Sequence, residues 1–412
     1  MKRITSTIYS WLTLANFLRS IPTVILVIIL YLAGFFLIVP QYSNKFWLKL
    51  VTNKLSADRI AIYGITQRIG EYNLQLRLIK GARNLNIDFI AISFEDAITE
   101  NPIIRTFYML PINLLNYIFK PKLNLATTHY VNYLPIGYNI VYLNVPTSFL
   151  MDANLNFLEE LSYLYQYDGY ADIYSLVNGR NDYLIKTLSK KKQKYDIYPV
   201  YFGDNYKDYS PAKYETALIT GSLWGCARNN NRLRRALKHL ADDGFLLSIG
   251  LPDLAFLGKG YLGPTTKYAK DPTFVLGELQ KLHGISLVFT TLEHMIEGIP
   301  TLRIAEAAAS ANLILSDYNH FVRKYFGNSV LYVDTLQNDV EIHKQIKDHI
   351  LWARQNPEEA RNMGEQAYKI FAENFYIEKH LKYLIDSVNS TLSKNETMAP
   401  LENSIQTQNI SQ

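Results

Sequence analysis

The chain has 412 residues, enough for two domains that each bury a sizeable core. Its 48% hydrophobic and 19% charged content excludes a disordered chain, and a net charge of only +5 with no basic-aromatic interleaving argues against a nucleic-acid partner. The single cysteine, Cys226, excludes an intrachain disulfide and agrees with a reducing compartment.

Residues 1–57 contain no Asp or Glu. Within them, 23–39 reads TVILVIILYLAGFFLIV, an uninterrupted apolar run that as a helix would be roughly 25 Å long, the short end of a bilayer span. Trp and Lys flank it on both sides, and no small-residue cleavage site follows. The pattern predicts an uncleaved anchor helix over 21–40. Basic residues on both sides leave its orientation open, and 45–55 is a candidate to lie flat on anionic lipid.

A first domain is expected over 58–210. It opens with a strand at 59–64, a loop at 65–73 carrying Arg68 and Gly70, an amphipathic helix at 74–85 and a strand at 88–93. This is a Rossmann-like start without G-x-G-x-x-G, so dinucleotide binding has little support. Residues 101–119 are hydrophobic and helical in pattern, broken by Pro111. They suit the core, or a membrane-facing groove. Strands are expected at 125–128, 139–144, 171–177 and 195–202, with helices at 156–166 and 181–192. His129 ends one of these strands, where an imidazole can touch a phosphate or a sugar hydroxyl, or be structural.

A second domain is expected over 211–375. A strand at 214–220 leads into Gly221-Ser222-Leu223-Trp224-Gly225 and a basic helix at 232–240, in outline a phosphate-cradling arrangement. Arg228 in that loop is the first candidate anion partner, and Arg232 and Arg235 are weaker ones. A strand at 245–250, a surface loop at 258–271 and a strand at 285–290 follow. An acidic loop at 293–298 is then expected, with Pro300 inside the first turn of a small-residue helix at 302–311. Strands at 313–315 and 330–333 flank an amphipathic segment at 321–326. Helices are expected at 341–356 and 357–372, with a closing helix over 376–392 and a disordered tail over 393–412. Arg303 and Glu306 share a face of their helix. A surface ion pair explains them, and so does an anion site in which the carboxylate accepts ribose hydroxyls and the arginine holds phosphate.

The run EGIPTLRIAEAAASANLILSDYNHFVRKYFGNSVLYVD, residues 297–334, resembles the donor segment of GT-B glycosyltransferases. It is most similar to the family 4-like group that includes the spore-protein-type enzymes. Two departures stand out: Glu297 and Glu306 are one residue further apart than in the common E-x7-E form, and Ala311 replaces the usual glycine after the helix. The resemblance implies a GT-B fold, two Rossmann-like domains facing a cleft, here preceded by the anchor helix. It also implies transfer of a sugar from a nucleotide-sugar to an acceptor, retaining and metal-independent. The nucleotide-sugar is the donor substrate, and no cofactor or metal is expected. Glu306 would take the ribose hydroxyls, and Arg303 would steady that carboxylate or touch phosphate. Glu297 and Glu293 would compete for the transferred sugar. Gly221 and Ser222 would let the backbone approach the diphosphate, Arg228 would pair with it, and His129 would face the reacting groups from the first domain. The anchor suggests a glycan or lipid-linked acceptor at a membrane, with the catalytic part on the cytoplasmic face. The alternative is a non-catalytic, membrane-bound scaffold with a degenerate version of the fold.

Overall fold

The structure, a computed structural model, describes residues 49–52, 59–65, 69–94, 116–127, 136–143, 168–172, 193–196, 214–221, 231–250, 252–264 and 284–408. The first domain is a seven-stranded sheet: β1 (Lys49–Thr52), β2 (Ile60–Ile65), β3 (Phe89–Phe94), β4 (Leu123–Ala126), β5 (Tyr138–Leu143), β6 (Gly169–Asp172) and β7 (Gln193–Asp196). The order is β1-β3-β2-β4-β5-β6-β7, parallel except for β1, which runs antiparallel along the β3 edge. Helix α1 (Ile69–Asn84) makes the β2–β3 crossover and starts five residues earlier than expected, so Gly70 lies in the helix rather than in a loop.

The second domain has five parallel strands: β8 (Ala217–Gly221), β9 (Leu246–Gly250), β10 (Ile285–Val288), β11 (Leu313–Ser316) and β12 (Val330–Tyr332), in the order β12-β11-β10-β8-β9. Its helices among the described residues are α2 (Asn231–Asp242), α3 (Leu292–Glu297), α4 (Leu302–Ala309), α5 (His320–Phe326), α6 (Asp339–Gln355) and α7 (Pro357–Asn374). Strand residues alternate between two apolar layers, as the two-residue side-chain period requires. Ala217, Ile219, Ile285, Leu287, Leu313 and Leu315 pack with α2 and α6, whereas Val288, Ile314 and Val330 pack with α4, α5 and α7. The second layer runs without a break into the first domain, taking in Leu74, Leu78 and Ala82 of α1 and Leu125 and Ile140 of its sheet.

The last helix, α8 (Ile377–Gln408), docks on α1. Ile377 and Leu381 are buried there, and His380 meets the Tyr142 hydroxyl at 3.1 Å. A helix ending near 390 and a disordered tail are the sequence expectation; the observed helix continues to Gln408.

Two other expectations meet the structure differently, and two fall outside the described residues. Residues 49–52 of the segment expected on lipid form β1, whose backbone is spent on β3. The 258–271 loop is preceded by a 3-10 helix, Pro252–Gly260, that overlaps its start. The apolar run at 23–39 lies outside the described residues; among those described, no helix is long and apolar enough to cross a membrane. The expected domain boundary near 210 also lies outside them.

Candidate functional site

In the second sheet, β8 lies beside β10, and the chain winds outward from this pair in opposite directions, to β9 on one side and to β11 and β12 on the other. The crevice outside the carboxyl ends of such a pair is where open α/β sheets bind ligands. Gly221 ends β8 there, with φ +96, a conformation in which any side chain is strained. Gly250 ends β9, so close that a Cβ on it would lie 1.8 Å from the Gly221 carbonyl oxygen.

Helix α4 brings Arg303 to this edge. Its Nη1 donates to the Thr220 carbonyl at 2.8 Å, and the guanidinium covers the face of Gly221. Burial pulls the Arg303 pKa below its ordinary range, while the charges of Glu306, Asp253 and Asp317 hold it up. The arginine is therefore half-buried among carboxylates and braced against the end of β8, not extended into solvent. Asp317, at the end of β11, accepts from the Thr290 amide at 2.5 Å and from the Thr290 hydroxyl at 2.6 Å, tying the β10 and β11 ends together.

Residues 293–298 are not a loop. Thr291 caps α3, its side chain accepting from the His294 amide at 3.2 Å, and Gly298 closes it in the left-handed conformation. Glu293 and Glu297 fall four apart on α3, on one helix face; the structure describes the backbone of both. Pro300 stands just ahead of the α4 N-cap, Thr301, and not within the first turn. Asn319 braces the α3–α4 connection by donating to the Ile299 carbonyl at 2.7 Å and the His294 carbonyl at 3.3 Å. Ala311 takes φ +50, the left-handed position where the resembled motif carries glycine.

Glu306 has a partner that its spacing does not reveal. Its Oε1 accepts from Nη2 of Arg77, on α1 of the first domain, at 2.7 Å. Arg77 is 1% exposed and Glu306 3%. The carboxylate thus meets the first domain and makes no hydrogen bond to Arg303 among the described residues. Three buried oxygens around this edge have no hydrogen-bond partner among the described residues: Oε2 of Glu306, Oγ1 of Thr301 and Oγ of Ser316. The Thr301 side chain makes no cap hydrogen bond to α4, whose Ile304 amide donates instead to the Thr301 carbonyl at 3.1 Å.

Arg232 and Arg235 point elsewhere: Arg232 donates to the Leu336 carbonyl at 2.9 Å, and Arg235 pairs with Asp339 at 2.6 Å. Ser222, Arg228 and His129 lie outside the described residues. Among the described residues no group of three His, Cys, Asp or Glu side chains is placed to hold a metal.

No protein-family model and no curated protein sequence matches the chain. Solved structures do. Sucrose-phosphate synthase from Thermosynechococcus elongatus superposes with a TM-score of 0.53 at 11% identity, over 82% of this chain and 100% of that one. HepE from Anabaena, in complex with UDP-glucose, gives 0.53 at 10%, over 82% and 99%. WaaG, a glycosyltransferase involved in lipopolysaccharide biosynthesis, gives 0.51 at 11%, over 80% and 99%. The fold is GT-B. The GT-B assignment rests on the whole two-sheet architecture, since those structures are matched along nearly their full length. Arg77 and Thr301 are members of the site that residue patterns do not single out. For Asp317 a signal exists in its place directly after the buried strand Leu313–Ser316, at the carboxyl edge where polar residues gather.

Proposed function

We propose that the chain is a nucleotide-sugar-dependent glycosyltransferase of the family 4-like group, acting on a glycan or lipid-linked acceptor at a membrane. One observation carries the reading. At the switch point of the second sheet of a GT-B fold, Arg303 lies over Gly221, whose positive φ suits glycine, on the helix that also presents the buried carboxylate of Glu306.

In this reading the donor diphosphate lies against the Gly221-Ser222 backbone and the N-terminus of α4, which no Thr301 side-chain bond caps, with Arg303 and Arg228 supplying charge. Glu306 accepts the ribose hydroxyls. Glu293 and Glu297, on one face of α3, are the candidates for the transferred sugar, and His129 approaches from the first domain. The bond from the anomeric carbon to the diphosphate breaks, and the leaving oxygen takes the electron pair. The acceptor hydroxyl bonds to that carbon on the same face and gives up its proton to the leaving phosphate oxygen. Backbone amides and arginines stabilise the leaving group, so no metal is required. The anchor at 21–40 keeps the chain at the bilayer, with the catalytic part on the cytoplasmic face where nucleotide-sugars are made.

HepE is held with UDP-glucose in its solved structure, so uridine donors come first. The test is to incubate the full chain with UDP-, GDP- and ADP-sugars and a lipid-linked acceptor extract, and to measure nucleoside diphosphate release and glycan product. Sugar transfer that falls at least about tenfold in Glu306→Gln supports the reading, because a charged hydrogen bond is worth about 1.5–3 kcal/mol. The engagement of Glu306 by Arg77 favours a second reading, the non-catalytic scaffold. Under that reading no donor is turned over.

A further inference from the structure

Helix α1 is buried on two sides. One side packs on the first sheet, where Gln75 donates to the Ile62 and Ile92 carbonyls at 3.1 and 2.9 Å. The other is a stripe at helical spacing, Arg77, Gly81 and Asn84, and all three of its residues meet elements that follow the second sheet or belong to it. Arg77 meets Glu306. Gly81 lies so close to Ile377 that a Cβ there would be 3.2 Å from its side chain. Asn84 donates to Glu378 at 2.6 Å. Among the described residues, the charged group through which the first domain meets the donor helix is Arg77.

The pair is half complete. Arg77 holds Oε1, while Oε2, on a carboxylate 3% exposed, has no hydrogen-bond partner among the described residues. A buried ion pair that serves only the fold gains from satisfying both oxygens, because an unsatisfied buried anionic oxygen is costly and an apolar pair would do better. Arg303, the neighbour that spacing offers, is committed to the Thr220 carbonyl.

We infer that Arg77 of the first domain is a positioning residue of the donor site, which fixes Glu306 through Oε1 and leaves Oε2 to accept the ribose hydroxyls of a nucleoside diphosphate. The inference rests on the donor-site reading given above. A carboxylate oxygen accepts hydrogen bonds, which suits hydroxyl donors. Because Glu306 is covered in this structure, ligand entry moves the cover. A carboxylate pinned at one oxygen keeps its orientation during that exchange. A consequence is that ribose recognition depends on a residue 229 positions away, in the other domain.

The test is calorimetric binding of matched ribo- and 2′,3′-dideoxy-nucleoside diphosphates (uridine, guanosine, adenosine) to the full chain and to Arg77→Met. Should Arg77→Met lose the wild-type unfolding transition, Arg77→Gln, which keeps an N–H donor but no charge, replaces it. The expected result is a wild type that prefers the ribo form by about tenfold or more, and a variant that binds both forms alike. An equal preference in wild type and variant overturns the role of Arg77 and leaves the donor site standing, as does a variant that binds the ribo form more tightly. A wild type that binds nucleotide but ignores the hydroxyls overturns the role of Oε2. A wild type that binds none of the nucleotides removes the donor reading itself, and this inference with it.

Discussion

Arg77 and Glu306 are 229 residues apart in the chain and 2.7 Å apart in the fold, in an ion pair shielded from water on both sides. A buried pair of this kind is worth little against an apolar replacement and much against the loss of one partner. Either Glu306→Ala or Arg77→Ala should therefore lower unfolding free energy by about 3–5 kcal/mol, because each leaves a buried charge alone. The double variant Arg77→Met/Glu306→Leu should recover most of that loss. Urea unfolding of the four proteins measures it. Sequence spacing alone leads to the expectation that Glu306→Ala spares the fold; the pairing with Arg77 reverses that expectation, and Glu306→Gln is the better probe of function.

The Gly221–Gly250 contact makes a second prediction. A methyl at position 250 meets the Gly221 carbonyl at 1.8 Å and must push the end of β8 away from β9. At Gly221 itself, φ +96 strains any side chain. Gly250→Ala and Gly221→Ala should each weaken nucleotide binding while far-UV circular dichroism stays near the wild type, since both changes fall at strand ends. Gly244→Ala is the control: it too has positive φ, +77, but a Cβ there meets nothing within 4 Å and lies in the turn after α2. It should destabilise modestly and leave binding alone.

His380 gives the pH dependence. It is 4% exposed, its Nε2 lies 3.1 Å from the Tyr142 hydroxyl, and its Nδ1 has no hydrogen-bond partner among the described residues. Burial holds its pKa down at about 3, whereas the unfolded chain titrates near 6.5. Between these values the unfolded state binds the proton and the native state does not. The stability from this group is full above about pH 6.5 and is lost as pH falls, with a slope approaching about 1.4 kcal/mol per pH unit. Unfolding free energy measured from pH 8 to 5 should show that slope, and His380→Phe should flatten it. An unchanged slope in His380→Phe assigns the acid sensitivity to other groups.

Much of the second domain is legible in the residues. The strand expected at 285–290 is found at Ile285–Val288, and the short apolar run at 313–315, which ends in Ser316-Asp317 and reads as a buried parallel strand, is found as one at Leu313–Ser316. The resemblance in 297–334 carries the fold, and even the change to Ala311 keeps the left-handed backbone that glycine normally supplies. Local competition between signals hides the rest. Acidic residues and a nearby Gly-x-Pro make 293–298 look like a loop, yet Thr291 and Gly298 are the start and stop signals of a short helix. The antiparallel β1 is hidden because Lys49–Thr52 follow a basic, aromatic stretch that suits a lipid surface equally well. The partner of Glu306 was not readable at all. Arg77 sits within an apolar helix pattern, and nothing local shows that the face it occupies packs against the other domain. Long-range pairing is a property of the assembled core, in which α1 and α4 share one continuous apolar layer.

The most direct test of the central claim is a thermal-shift titration of the full chain with UDP-, GDP- and ADP-sugars. A ligand that binds only the native state raises stability by RT ln(1 + [L]/Kd), about 2.7 kcal/mol at a hundredfold excess over Kd. A donor site at the β8–β10 switch point predicts a shift with one nucleotide class that grows with concentration and is lost in Gly250→Ala. A folded chain whose transition does not move with any nucleotide-sugar at millimolar concentration would contradict it.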